Sequence, residues 1–260
     1  MSELRASHVG PRDWDAEVYH RVSAPQLEWA SEVLERLELA GDEVVLDAGC
    51  GSGRVTALLA QRVAEGRVIG IDASESMVAK ARETLGDRVE LRIGNLTELD
   101  MEREVDVVFS NAVFHWIPDH DALFERLHRA LRPGGRLVAQ CGGEGNVAAV
   151  AEAIAAVGAH EPFARHLEGF EPIWNFSSAE DAERRLRSAG FEEVECWLES
   201  KPVTPDDPFD YVATSALGPI TALLPDSDAR AFAEAVVERL GTPVTLEYVR
   251  LNINARGPGK

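Results

Sequence analysis

The chain has 260 residues, three cysteines and a formal net charge of −19. That length suits one large α/β domain with an addition, and that charge repels phosphate backbones, which argues against a nucleic-acid partner. Cys50, Cys141 and Cys196 are scattered without metal-ligand spacing and read as reduced thiols. With no signal peptide and no apolar run long enough to cross a bilayer, a cytoplasmic protein without a membrane partner is expected.

Residues 1–12 are polar. Trp14 to about Leu39 reads as helical with a break near Pro25, a residue suited to a first helical turn. Leu27, Ala30, Leu34 and Leu37 share one helical face and should cover a sheet. Strands are then predicted near 43–48, 67–72, 89–94, 105–111 and 136–142, and helices near 53–64, 75–85 and 120–131, with His120 and Asp121 starting the last. This alternation predicts a doubly wound, mostly parallel sheet. Ligands of such sheets bind beyond the carboxyl ends of the strands, where Asp47, Asp72, Asn95 and Asn111 fall.

After Cys141 the pattern changes. Gly142-Gly143-Glu144-Gly145 reads as a hinge. A helix from near Asn146 would carry Val147, Val150, Ile154 and Val157 on one face. Residues 158–176 look irregular and hold His160, Arg165, His166, Phe170 and Trp174. Ser177 and Glu180 have capping-box spacing and open a helix that stops at Gly190. Val194–Leu198 alternates as a strand, 208–240 reads as two helices parted by Pro225, and Leu246–Ile253 alternates as the seventh and last strand. The helices near 146–190 and 208–240 are expected to form a lid over the strand ends.

The densest signal is Val44-Val45-Leu46-Asp47-Ala48-Gly49-Cys50-Gly51-Ser52-Gly53, a strand running into an acid and three alternate glycines. Glycines between strand and helix let backbone approach a ligand where a side chain would block it. A dinucleotide site wants a third glycine three positions after the second. Here Arg54 stands at that place, and Asp47 is awkward beside a phosphate. The next strand ends in Asp72, placed to accept from two vicinal ribose hydroxyls. A nucleoside joined to a cation, without phosphate, points to S-adenosylmethionine rather than NAD.

This ordered set resembles the class I S-adenosylmethionine-dependent methyltransferases, strongly over residues 43–142. Within them, Ser110-Asn111-Ala112-Val113-Phe114-His115-Trp116-Ile117-Pro118-Asp119-His120-Asp121-Ala122-Leu123-Phe124 is similar to trans-aconitate methyltransferases, which carry Gln where His115 stands, and to juvenile-hormone-acid methyltransferases. The resemblance implies a Rossmann-like seven-stranded α/β fold with helical lid insertions. It also implies three regions: 1–42 as N-terminal helices covering the site, 43–142 as the donor-binding core, and 143–260 as lid segments with the last strands. The donor residues it implies are Asp47, Gly49, Cys50, Gly51, Ser52, Gly53, Asp72, Ala73, Met77, Asn95, Leu96, Asn111, Ala112 and Trp116, with S-adenosylhomocysteine as product. Asn95 would meet the adenine amine through its carbonyl oxygen, and Asn111 and Ala112 would act through backbone carbonyls.

Methyl transfer from a sulfonium is mainly a positioning problem. A carboxylate acceptor is ionised near neutral pH and needs no base, whereas a phenol gains from one. His115 can bind an acid as imidazolium, serve as a base, or cap a turn. Trp116 can stack on the donor or wall the acceptor pocket. By resemblance Tyr19, Ser23 and Gln26 face the donor and the acceptor carboxylate. Arg12, Arg21, Arg165 and His166 are the cations available to a polyacid. The expected activity is carboxyl O-methylation of a small acid, by a monomer or homodimer, with His115, Trp116, Tyr19 and Gln26 at the reacting centre and no metal. The alternatives are O-methylation of a phenolic natural product with His115 as base, and a non-catalytic S-adenosylmethionine-binding protein.

Overall fold

The computed structural model describes residues 24–169, 174–257 and 259. Helix α1 (Ala24–Glu35) leads into strand β1 (Val44–Ala48), α2 (Arg54–Arg62), β2 (Arg67–Asp72), α3 (Glu75–Leu85) and β3 (Glu90–Ile93). Then come β4 (Val105–Asn111), α4 (His120–Ala130) and β5 (Leu131–Gly142). The remaining elements are α5 (Ala148–Gly158), α6 (Ala164–Leu167), α7 (Ala179–Ser188), β6 (Glu192–Val203), α8 (Pro208–Val212), α9 (Gly218–Thr221), α10 (Asp226–Arg239) and β7 (Leu246–Arg256).

The seven strands form one sheet in the order β3-β2-β1-β4-β5-β7-β6. All neighbours pair in parallel except β7, which is antiparallel to both β5 and β6. Strand order reverses between β1 and β4, and this switch point opens the crevice in which such sheets hold ligands. The apolar runs of β1, β2 and β4 fit strands covered on both faces. On one face Leu123, Phe124 and Leu127 of α4 and Ala182 and Leu186 of α7 are buried with Leu46 and Ile69. On the other, Val33 and Leu34 of α1, Leu59 of α2 and Leu85 of α3 are buried with Val45 and Phe109.

A further apolar cluster lies outside these two layers. It joins Val147, Val150 and Ile154 around α5, Tyr211 and Val212 of α8, Phe232 and Val236 of α10, Tyr248 of β7 and Trp29 of α1. The region expected as a lid thus has its own core, anchored on the sheet's far end. Helix α7 does not share it: the amphipathic pattern of 179–188 turns Ala182 and Leu186 into the main core instead.

Local differences from the sequence reading have local causes. The cap of α7 is Ser178, whose hydroxyl accepts from Asp181 N at 3.1 Å, rather than Ser177 with Glu180. Ser177 is drawn away by the His120 ring at 3.1 Å. The stretch 158–176 contains the short helix α6. Strand β5 begins at Leu131, earlier than expected, and its register against β4 shifts between Val105 and Val107. Strand β6 runs to Val203 because β7 pairs with it as far as Leu246. A π-turn over Ala213–Leu217 joins α8 to α9, so the first of the two helices expected in 208–240 is a compound one.

Candidate active site

The crevice is built from the turn that follows β1. Gly49 takes φ +90°, and a Cβ there would lie 2.1 Å from Val113 Cγ2, so only glycine lets this turn touch the segment after β4. The amides of Gly49 and Cys50 both donate to the Ile71 carbonyl, at 2.8 and 3.0 Å, which ties the loop to the end of β2. Gly51 N then donates to Asp72 Oδ2 at 2.9 Å, and Ser74 N donates to Asp72 Oδ1 at 2.9 Å. Backbone N–H groups thus hold both Asp72 oxygens in place at the end of β2. Burial raises the Asp72 carboxyl above its ordinary value, opposed by those amide bonds. Gly51 has open space where a side chain would stand.

Asp47 is only 2% exposed. Its Oδ2 accepts from the Thr56 hydroxyl at 2.7 Å. Burial pushes its carboxyl up to about 7, against the Thr56 hydrogen bond and with the Asp72 charge adding to the rise. A carboxyl poised between its two forms becomes fully ionised when a cation arrives. At the end of β4, Asn111 Oδ1 is a buried acceptor with no hydrogen-bond partner among the described residues. Leaving such an atom unmatched costs about 1–3 kcal/mol, a cost that a ligand N–H reaching it would remove. Ala112 is held at φ +62°, with its N–H donating to the Gln140 carbonyl at 2.7 Å. Two carboxylates, a buried orphan oxygen and an open glycine together fit the ammonium and ribose of S-adenosylmethionine.

The other expected donor residues are placed around this frame. Asn95 is exposed, and its Oδ1 accepts from both Thr97 N and Thr97 Oγ1, at 3.1 and 3.0 Å. The oxygen expected to meet the adenine amine is therefore engaged in a cap, and the amide presents its N–H₂ instead. The side chain of Leu96 is buried in the main core, which leaves its backbone for the ligand. Met77 is buried in the first turn of α3, under the Ser74 cap, and Ala73 is exposed beside Asp72. Ser52 and Cys50 are buried in the loop itself. Burial pushes the Cys50 thiol up, with Asp47 and Asp72 adding, so it stays a thiol and serves as packing.

The acceptor side is made by the turn after β4. His115 is 8% exposed within the 3₁₀ turn Phe114–Trp116. Its Nδ1 accepts from Gly142 N at 3.2 Å, which places the ring proton on Nε2. Burial holds the imidazole well below its ordinary pKa, and Arg250 and then His120 add to that. The ring is therefore neutral, and the imidazolium role is corrected. The base role also fails in this geometry, because one nitrogen is occupied and the other carries its proton.

Around His115 stand Trp116 and Phe176, with ring centroids at 5.0 and 5.8 Å. Trp174 stacks on Phe176 at 5.6 Å and meets Trp116 edge-on at 6.3 Å. The segment 174–177 fastens this wall. Asn175 N donates to the His115 carbonyl at 2.8 Å, and Asn175 Nδ2 donates to the Pro118 carbonyl at 3.0 Å. His120 Nε2 donates to the Phe114 carbonyl at 2.9 Å, so His120 is a structural strut. Arg165 pairs with Glu161 at 2.8 Å and His166 approaches Asp228 at 4.0 Å, both on the short helix α6. Tyr19, Ser23, Arg12 and Arg21 lie outside the described residues. Gln26 falls in the first turn of α1, with its side chain also outside them.

Two contributors were missed. Phe176 closes the aromatic wall, and its signal was the cluster Phe170, Trp174, Phe176 ahead of a helix cap. Arg250 is 3% exposed on β7 and gives no signal, since an arginine in an alternating strand reads as solvent-facing.

Residues 45–135 match the family profile described as a methyltransferase domain. The chain is 34% identical over 195 residues to trans-aconitate 2-methyltransferase of Methylobacterium nodulans, covering 75% of this chain and 70% of that one. It is 40% identical over 128 residues to the protein of that name from Shigella flexneri serotype 5b, covering 49% of this chain and 50% of the relative. Against several such relatives the alignment spans about half of their length. Phosphoethanolamine N-methyltransferase 2 of Haemonchus contortus, solved with S-adenosylhomocysteine, superposes with a TM-score of 0.62 at 20% identity, covering 94% of this chain and 57% of that one. The cyclase SpnF superposes with a TM-score of 0.60 at 20% identity, covering 90% of this chain and 82% of that one. Likenesses at that identity fix the fold alone.

Proposed function

Because the chain belongs to the class I S-adenosylmethionine-dependent methyltransferases, close to the trans-aconitate methyltransferases, we propose that it forms a methyl ester on a small polycarboxylic acid such as trans-aconitate. The observation that carries the choice of acceptor is the state of His115. A buried neutral ring whose Nδ1 is taken by Gly142 N cannot collect a proton from a phenol. A carboxylate has no proton to remove.

Asp72 would hold the ribose, Asp47 and Asn111 the ammonium, and the amide of Asn95 the base. Bound there, S-adenosylmethionine supplies an electrophilic methyl on a sulfonium. Trp116 would present an aromatic face to that end of the crevice, a surface that favours positive charge. His115 Nε2–H is a donor available to an acceptor oxygen, and Trp174 and Phe176 exclude water from the same space. These residues orient and desolvate, and the rate arises from placement. The three thiols suit a reducing cytoplasm, and among the described residues no helix is long and apolar enough to cross a membrane.

The test is incubation with labelled donor and a panel of di- and tricarboxylic acids, monoacids and phenols, read by mass spectrometry. Methyl esters of the polyacids are expected. Methyl ethers of phenols without any ester would overturn the reading.

A further inference from the structure

A chain of net charge −19 must recruit a polyanion against its own field, so its acceptor site needs a local cation. Arg165 and His166 of α6 lie on a surface helix, next to Glu161 and Asp228. Arg250 stands elsewhere. It lies on β7 directly opposite Gly142, the residue whose N–H holds His115. Its charge is felt by the His115 ring and by Cys141.

Cross-strand partners in a pleated sheet project to the same face. On that face, a Cβ on Gly142 would meet Phe176 Cε1 at 2.6 Å and Asn146 Nδ2 at 2.9 Å, so the aromatic wall packs onto the sheet at the strand position opposite Arg250. Its guanidinium sits 5.1 Å from the centroid of the Trp29 ring, and its Nε donates to Gln140 Oε1 at 3.3 Å. Gln140 is fixed in turn by donating to Asn252 Oδ1 at 2.9 Å. A buried guanidinium held in place by an amide and an indole has the fixed fork that suits recognition of a carboxylate.

We propose that Arg250 is the specificity determinant for a polyanionic acceptor, binding a carboxylate other than the one that is methylated. The division of labour follows from chemistry. A forked guanidinium contact on the reacting oxygens would withdraw the electron density that attacks the methyl. The same contact on a distal carboxylate turns the reacting one toward His115 and the donor. This rests on the function proposed above and adds the group that chooses among acids.

The experiment compares wild type with R250Q and R250K, each saturated with S-adenosylhomocysteine. Calorimetry reads binding of trans-aconitate and of the monoacid crotonate, and kinetics follow with S-adenosylmethionine. R250Q should keep S-adenosylhomocysteine binding, weaken trans-aconitate at least about 30-fold and leave crotonate within about threefold. R250K keeps the charge without the fork and should recover part of the preference. Equal effects on both acids, or no effect on either, would overturn the assignment. If R250Q fails to fold, as shown by loss of S-adenosylhomocysteine binding, R250K decides: an unchanged ratio between the two acids refutes it. Trans-aconitate binding that depends on Arg250, without ester formation, would sink the proposed function and leave this assignment standing.

Discussion

Asp47 and Asp72 were legible as acids at the crevice because each closes an apolar strand run that a turn follows, glycine-rich after Asp47 and Ala73-Ser74 after Asp72. Their electrostatic state was not legible, since it depends on how much water the fold removes. Asp47 has a folded pKa of about 7, raised by burial. A raised folded pKa means that the native state holds a proton the unfolded chain has lost. The Asp47 contribution to stability is then fully present below the ordinary aspartate pKa and is lost as pH rises through about 7. A bound cation reverses the balance by favouring the ionised form. Donor affinity should therefore weaken as pH falls from 8 to 6, and binding near pH 6.5 should release protons. Calorimetry in buffers of different ionisation enthalpy reads that release; the absence of any release would show that Asp47 does not face the cation. Asp72→Ala should weaken donor binding at least about tenfold through loss of bonds to two hydroxyls. Unchanged affinity in a folded variant would remove Asp72 from the site. For His115, a neutral Nε2–H donor predicts that His115→Gln keeps ester formation within about tenfold, since an amide also donates. With saturating donor, the pH profile should show no step at the ordinary imidazole pKa. A loss on the order of 10²–10⁴-fold would instead mark a general base.

At the scale of elements, the sequence read best where one physical signal dominated. Strands β1, β2 and β4 are apolar runs closed by polar residues, and α2, α3 and α4 sit within two residues of their expected ends. It read worst where two signals competed for one residue. Ser177 and Ser178 are both fit to cap α7, and the buried ring of His120 decided between them by claiming Ser177. The same limit hid the split in the 143–190 segment, because burial against α4 and burial within a lid leave the same amphipathic pattern. The packing narrows the segment expected to move to 143–169. That stretch leans on α8 and α10 rather than on the sheet core, whereas α7 is locked into it. Hydrogen exchange should be faster over 143–169 than over 43–111 in the free protein, and should slow when donor product and acid are both bound. Equal protection in both regions, unaffected by ligands, would refute a closing lid. Asp119 caps α4 by accepting from Ala122 N at 2.9 Å, just behind the His115 turn. Asp119→Ala should cost about 1 kcal/mol, visible as a fall in melting temperature of roughly 2–4 °C.

The whole molecule sets one further constraint, which follows from charge alone. The donor carries a net positive charge at neutral pH, while a tricarboxylate acceptor carries close to three negative ones. A surface of net charge −19 attracts the first and repels the second. The screening length falls from about 30 Å at 0.01 M salt to about 8 Å at 0.15 M, so these long-range terms fade as salt is added. The contacts proposed for Asp47, Asp72 and Arg250 would be shielded from bulk water and should fade much less. Raising the salt from 10 to 150 mM should therefore weaken donor binding and strengthen acceptor binding in the same protein. The kcat/KM for trans-aconitate at saturating donor should rise, and the affinity for S-adenosylmethionine should fall. Crotonate, with a single charge, should respond far less than the tricarboxylate. Parallel slopes for donor and acceptor, measured across that salt range, would show that the global field does not act on the site. The acceptor's recognition would then rest on its local contacts alone.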